Sequence, residues 1–129
     1  MKNDYIMKIR THKELDVYRL AFDLAMDIYT LTLSFPNDEK YSLVDQVRRS
    51  SRSVCANIAE AFRKRRYPKY FVSKLNEVEG EAAETQVWIE FCQRLGYITS
   101  EQAESLNLAY DQVIGKVVKM SSNPEAWVP

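Results

Sequence analysis

The chain has 129 residues, 46% of them hydrophobic and 28% charged, which favours one globular domain with a core of ordinary size. Its eighteen basic and eighteen acidic side chains cancel, so net charge by itself implies neither a nucleic acid nor a membrane as partner. No stretch approaches the roughly 18 apolar residues of a membrane span, and the N-terminus lacks the apolar centre of a signal peptide. A cytoplasmic protein with no membrane partner is the expectation.

Only three glycines and four prolines interrupt the sequence, which argues for long helices and short loops. The spacing predicts a first helix over about 12–33. One seam of it steps through Leu15, Tyr18, Phe22, Ala25, Tyr29 and Thr32. A second seam, Val17, Leu20, Leu24, Ile28 and Leu31, runs beside it and needs cover beyond its own bundle. Pro36 stops this helix at the residue before it. A second helix follows over about 40–64, with Val44, Val47, Ser51, Val54, Ile58 and Ala61 as its seam. Its small residues let a neighbour approach closely.

The third helix is predicted over 68–95, with Pro68 tolerated in its first turn and Gly96 as its C′ residue. Its seam is Phe71, Leu75, Val78, Ala82, Thr85, Ile89 and Cys92. Thr99 to Gln102 reads as a capping box that opens a fourth helix over 100–120, carrying Leu106, Tyr110, Val113, Val117 and Met120. The tail after Ser121 is expected to be irregular, with Trp127 as an anchor. Short connections between long helices make neighbours antiparallel, so residues 1–129 are read as one all-α, up-down-up-down four-helix bundle.

The zero net charge conceals an asymmetry. Residues 41–75 hold nine bases and two acids, about +7, and residues 76–104 hold seven acids and one base, about −6. If the second and third helices are antiparallel, residues at equal height have numbers summing to about 132. Glu84 then lies level with Arg48 and Arg49, and Glu81 with Arg52. These five are expected to form structural ion pairs across the two helices.

The same arithmetic leaves Arg63, Lys64, Arg65, Arg66 and Lys69 facing one another across the turn, with only Glu60 nearby. Two readings fit this cluster. One is a solvated, solubilising turn. The other is a patch that contacts nucleic-acid phosphates and gains affinity by releasing counterions. Tyr67 and Tyr70 stand beside it and are placed to stack on unpaired bases.

Catalytic chemistry finds little support. His12 is the one histidine and sits at a helix start, where a solvated role outweighs a catalytic one. The Glu-x-x-His pairs of di-iron bundles are absent, no Gly-rich phosphate loop occurs, and Glu77, Glu81 and Glu84 read better as ion-pairing than as metal-binding. Cys55 and Cys92 are expected to be reduced core thiols. Asn57 and Glu60 are the odd polar residues of the second helix, with Asn57 expected to fix register or to cap a neighbour's backbone. The expectation is a protein that is not an enzyme and needs no cofactor or metal.

The stretches LDVYRLAFDLAMDIY, FPNDEKYSLVDQVRRSS and NIAEAFRKRR resemble a bacterial four-helix-bundle family. That family contains proteins encoded in intervening sequences of large-subunit ribosomal RNA genes, and the accessory variability determinant of diversity-generating retroelements. The likeness covers about residues 12–120 and rests on Phe35-Pro36, Tyr41, Leu43, Gln46, Arg48-Arg49, Asn57-Ile58-Ala59-Glu60 and Glu84. Ala61 stands where the family usually has glycine, and Gly80-Glu81 where it has Gly-Ser. The resemblance implies a homopentameric ring of bundles and, in the retroelement branch, a basic surface that binds RNA or DNA and a reverse transcriptase.

Overall fold

A computed structural model describes residues 4–129, and among them all regular structure is helical. A short helix α1 (Asp4–Lys8) leads through a 3-10 turn at His12–Glu14 into α2 (Asp16–Thr32). A second 3-10 turn (Asn37–Glu39) precedes α3 (Leu43–Arg63). Two further long helices follow, α4 (Pro68–Arg94) and α5 (Ser100–Ser122), and a last 3-10 turn spans Pro124–Trp127. In α2 to α5 each helix packs on its successor and α5 returns to α2, so the four close a bundle. No helix among the described residues is long and apolar enough to cross a membrane.

The bundle is held by the stripes that the sequence repeats every three or four residues. On α3, α4 and α5 the buried positions contain every member of the expected seams. Leu75, Val78, Phe71, Tyr110 and Val113 are fully enclosed. Burying one such aliphatic or aromatic side chain contributes roughly 1.5–3 kcal/mol. Two polar contacts, one in the core and one part-buried, set the register of α3 on α4. Thr85 Oγ1 donates to Ser50 Oγ at 2.9 Å, and Lys74 Nζ donates to Asn57 Oδ1 at 3.4 Å. Both contacts fall within three residues of the expected level. The free thiols Cys55 and Cys92 lie in this core, where burial pushes each up to about 11.

Three expectations need correction. The first concerns α2, whose first seam is buried only at its ends, Leu15 and Thr32, while the second supplies most of the inward face. Val17, Ala21, Leu24 and Ile28 turn into the bundle, whereas Phe22, Met26 and Tyr29 face outward and Tyr18 is half-buried. Ala21 explains the choice, because a side chain of that size lets α2 come close to its neighbours along that face. The second concerns helix starts. Residues 12–15 and 40–42 are not α-helical; 3-10 turns and extended or otherwise non-helical residues occupy those approaches. The third concerns the tail, where α5 runs two residues beyond the expected end and a 3-10 turn replaces irregular chain; Trp127 anchors it as expected, buried against Phe71 with ring centroids 6.0 Å apart.

The helix ends carry their own chemistry. Gly96 adopts φ +80 after α4, which an L side chain resists. Thr99 Oγ1 accepts from the Gln102 N–H at 3.0 Å while Gln102 Oε1 accepts from the Thr99 N–H at 2.9 Å, closing a capping box on α5. Tyr97 reaches from that corner to the α2–α3 connection, donating to Glu39 at 2.8 Å and packing on Phe35 at 5.0 Å.

Candidate nucleic-acid interface

The α3–α4 connection is short because both helix ends are fixed. The Lys64 N–H bonds back to the carbonyls of Glu60 and Ala61, the Tyr67 N–H bonds to the Lys64 carbonyl at 2.9 Å, and Pro68 starts α4 with Tyr67 held extended before it. Four cations, Arg63, Lys64, Arg66 and Lys69, project from this corner as exposed side chains, and no carboxylate among the described residues pairs with them. Glu60, the nearest acid in sequence, is occupied by Lys74 at 3.2 Å. Lys74 also bonds Glu77 at 2.8 Å, and these two carboxylates raise its pKa. The first turn of α4 holds no acid and no side-chain cap, so its partial positive charge adds to the patch.

Arg65 does not share this role. Its Nη1 donates to the Phe62 carbonyl at 2.9 Å, and its guanidinium lies 3.8 Å from the centre of the Phe62 ring. Half-burial, with Arg63 and Arg66 beside it, lowers its pKa. Arg65 thus closes the end of α3. Tyr67 and Tyr70 are 56% and 63% exposed, so both rings are open to a ligand, whereas Phe71 is wholly buried.

The expected cross-helix ion pairs are not formed. Arg48 Nε donates to Thr32 Oγ1 at 2.9 Å and its guanidinium covers the Tyr29 ring at 4.6 Å. Arg49 pairs with Asp45 on its own helix at 3.7 Å. Arg52 lines the rim of a groove between α2 and α3. Glu84 accepts from Trp88 Nε1 at 3.3 Å. Burial, with Glu84 and Glu77 nearby, raises the Glu81 carboxyl. Equal height is not equal face: Ser50 and Asn57 meet α4, and Arg48, two residues from Ser50 in a helix of 3.6 residues per turn, turns toward α2. Glu77, Glu81 and Glu84 form no group able to hold a metal ion among the described residues. His12 is half-buried, edge-on to Tyr18 at 4.8 Å.

Folding sorts the charges along the bundle axis. The half with the α3–α4 turn comprises residues 4–22, 56–78 and 115–129, with twelve bases and six acids, a net +6. The other half, residues 23–55 and 79–114, holds five bases and twelve acids, a net −7. α4, at 27 residues, is about 40 Å long, several times the roughly 8 Å screening length at physiological salt. The acidic end therefore does not cancel the basic end where a polyanion would approach. Lys8, Arg10 and Lys13 from the N-terminal segment, and Lys116 and Lys119 from α5, belong to this basic half. Sequence reasoning passed over them because they are dispersed along the chain; their signal lies in alternating helix direction, which brings these ends together.

A model of the family described as 23S rRNA-intervening sequence protein matches residues 13–119, most of the chain and all four long helices but for the last residues of α5. The chain belongs to the 23S rRNA-intervening sequence protein family. A crystal structure of a protein of unknown function from the S23 ribosomal protein family of Bacteroides thetaiotaomicron is similar to it. The two share 32% sequence identity and superpose with a TM-score of 0.73 over 82% of this chain and 95% of that one. No curated protein matches the chain. The family is named for intervening sequences of 23S rRNA, and the basic turn of this chain lies within the matched span.

Proposed function

We propose that this protein is a non-enzymatic, oligomeric helical bundle that binds nucleic acid through backbone electrostatics. One observation carries the reading: Arg63, Lys64, Arg66 and Lys69 stand exposed and unneutralised at the positive end of an axially polarised bundle. Arg65 supports the turn from within, and the family's link to ribosomal RNA genes points the same way. Cations placed so contact phosphates, position a strand and read no sequence.

The oligomer in this reading is a closed homopentameric ring. Its support is a pair of apolar faces on opposite sides of the bundle. Phe22, Met26 and Tyr29 line a groove of about 510 Å³ between α2 and α3, while Val87 and Phe91 on α4, Leu95 just after it and Leu108 on α5 are exposed. Two different faces suit head-to-tail contact, which closes into rings, better than a two-fold dimer. A ring repeats the basic turn, and several modest patches act together through effective concentration. A reverse transcriptase is the enzyme partner that the retroelement resemblance implies for such a ring, and co-purification of the two tests that extension.

The central test is affinity for a 20-nucleotide strand across a salt series, for the wild type and for Arg63→Ala combined with Arg66→Ala. The double variant is expected to bind more weakly, with a log–log salt slope shallower by about 1.5, since each phosphate contact contributes about 0.7–0.9. An unchanged affinity and slope would remove the assignment. The protein would then be an interaction scaffold whose basic turn docks an acidic partner.

A further inference from the structure

We infer that the basic turn takes single-stranded nucleic acid in preference to duplex, with Tyr67 and Tyr70 as stacking platforms for unpaired bases. This inference rests on the nucleic-acid reading above and specifies its substrate class. Both rings are more than half exposed, and neither hydroxyl has a hydrogen-bond partner among the described residues. Their centroids lie 6.1 Å apart with planes at 89°, an edge-to-face pair. No base can be sandwiched between rings so arranged, so each ring offers its own outer face to its own base.

The platform is rigid. Tyr67 is the extended residue before Pro68, with φ −113 and ψ 97, and Tyr70 lies in the first turn of the longest helix. Little backbone freedom is lost when a strand settles on it. Cations surround the pair: Lys64 Nζ stands 5.8 Å from the centre of the Tyr70 ring, and Arg63, Arg66 and Lys69 are exposed on the same corner. Aromatic faces among cations serve a strand whose bases are free to leave one another, because every base has a π-face and every nucleotide a phosphate. In a duplex the base faces are already stacked, so only the cations could act and the two rings would contribute nothing.

The test is fluorescence anisotropy of the full-length protein with labelled 12-nucleotide RNA and DNA single strands of one sequence, and with the matching duplexes, at one low salt concentration. Single strands are expected to bind more tightly than duplex. RNA and DNA strands should be nearly equal, since neither stacking nor phosphate contact uses the 2′-hydroxyl. Tyr67→Leu or Tyr70→Leu should weaken single-strand binding by roughly 5- to 150-fold and leave duplex binding unchanged. Phe in place of either tyrosine should restore it. Equal affinity for strand and duplex, or leucine variants that bind single strands like the wild type, overturns the inference. If those results come with a loss of binding in Arg63→Ala/Arg66→Ala, the electrostatic reading survives. If the arginine variant also binds normally, both fall.

Discussion

Arg65 and Arg66 are adjacent in sequence and do different work. Arg65 lies on the Phe62 ring and bonds its carbonyl, while Arg66 is exposed among like charges. Gly96 is equally local: its φ of +80 is one that L side chains rarely adopt, yet nothing lies within 4 Å of where a Cβ would stand. Gly96→Ala should therefore cost about 1–2 kcal/mol from backbone strain with no clash, read as a lower urea midpoint with an unchanged slope. Asp16 accepts from Lys116 at 3.0 Å and from the Tyr5 hydroxyl at 3.1 Å. Burial alone would raise its carboxyl, but these hydrogen bonds outweigh burial and hold it below the ordinary aspartate value of 3.8. Its folded pKa being lower than its unfolded one, its contribution is complete above that ordinary value and is lost as pH falls through the depressed one. Asp16→Asn should lower the melting temperature at pH 7, and the gap from wild type should close in strongly acidic buffer.

At the scale of elements, α2 and α4 show how a helix divides its faces. α4 buries Leu75 completely between its neighbours, so Leu75→Ala should destabilise the chain by about 2–5 kcal/mol in chemical denaturation. α2 leaves Phe22 and Met26 about half exposed, lining the groove between α2 and α3. Changing both to glutamate should preserve the helical signal in circular dichroism yet lower the mass measured by light scattering, if these faces join subunits. A mass equal to that of the wild type would remove the ring from this face. The polar contacts from α3 to α4 specify height: one register joins Asn57 to Lys74 and satisfies the buried Ser50 and Thr85, which a slipped register would strand.

The whole molecule separates positive from negative along its axis while remaining neutral overall. Over about 40 Å, salt screens each end from the other, so a neutral chain can present a strongly basic surface. Association with a polyanion should therefore be fast at low salt and slow as salt rises, with the change mainly in the on-rate. Neutralising Glu101 and Glu104 at the far end should leave the affinity unchanged within twofold, which surface-coupled kinetics would show.

Periodicity in the sequence determined the four long helices, the buried stripes of α3, α4 and α5, the glycine stop at Gly96 and the capping box at Thr99. Each of these depends on residues within a few positions of one another, so local spacing contains the information. The antiparallel numbering also placed α3 and α4 at the right height, because short loops leave little freedom. Tertiary structure decided which face of α2 turns inward, since the small Ala21 directs that choice only once neighbours pack against it. It decided that Arg48 meets Tyr29 and Thr32, because the angle around the helix is set by which neighbours pack on it. It separated Arg65 from the open cations through a ring contact that composition does not show. It gathered distant basic residues at one end, because alternating helix direction brings segments together that the chain keeps far apart.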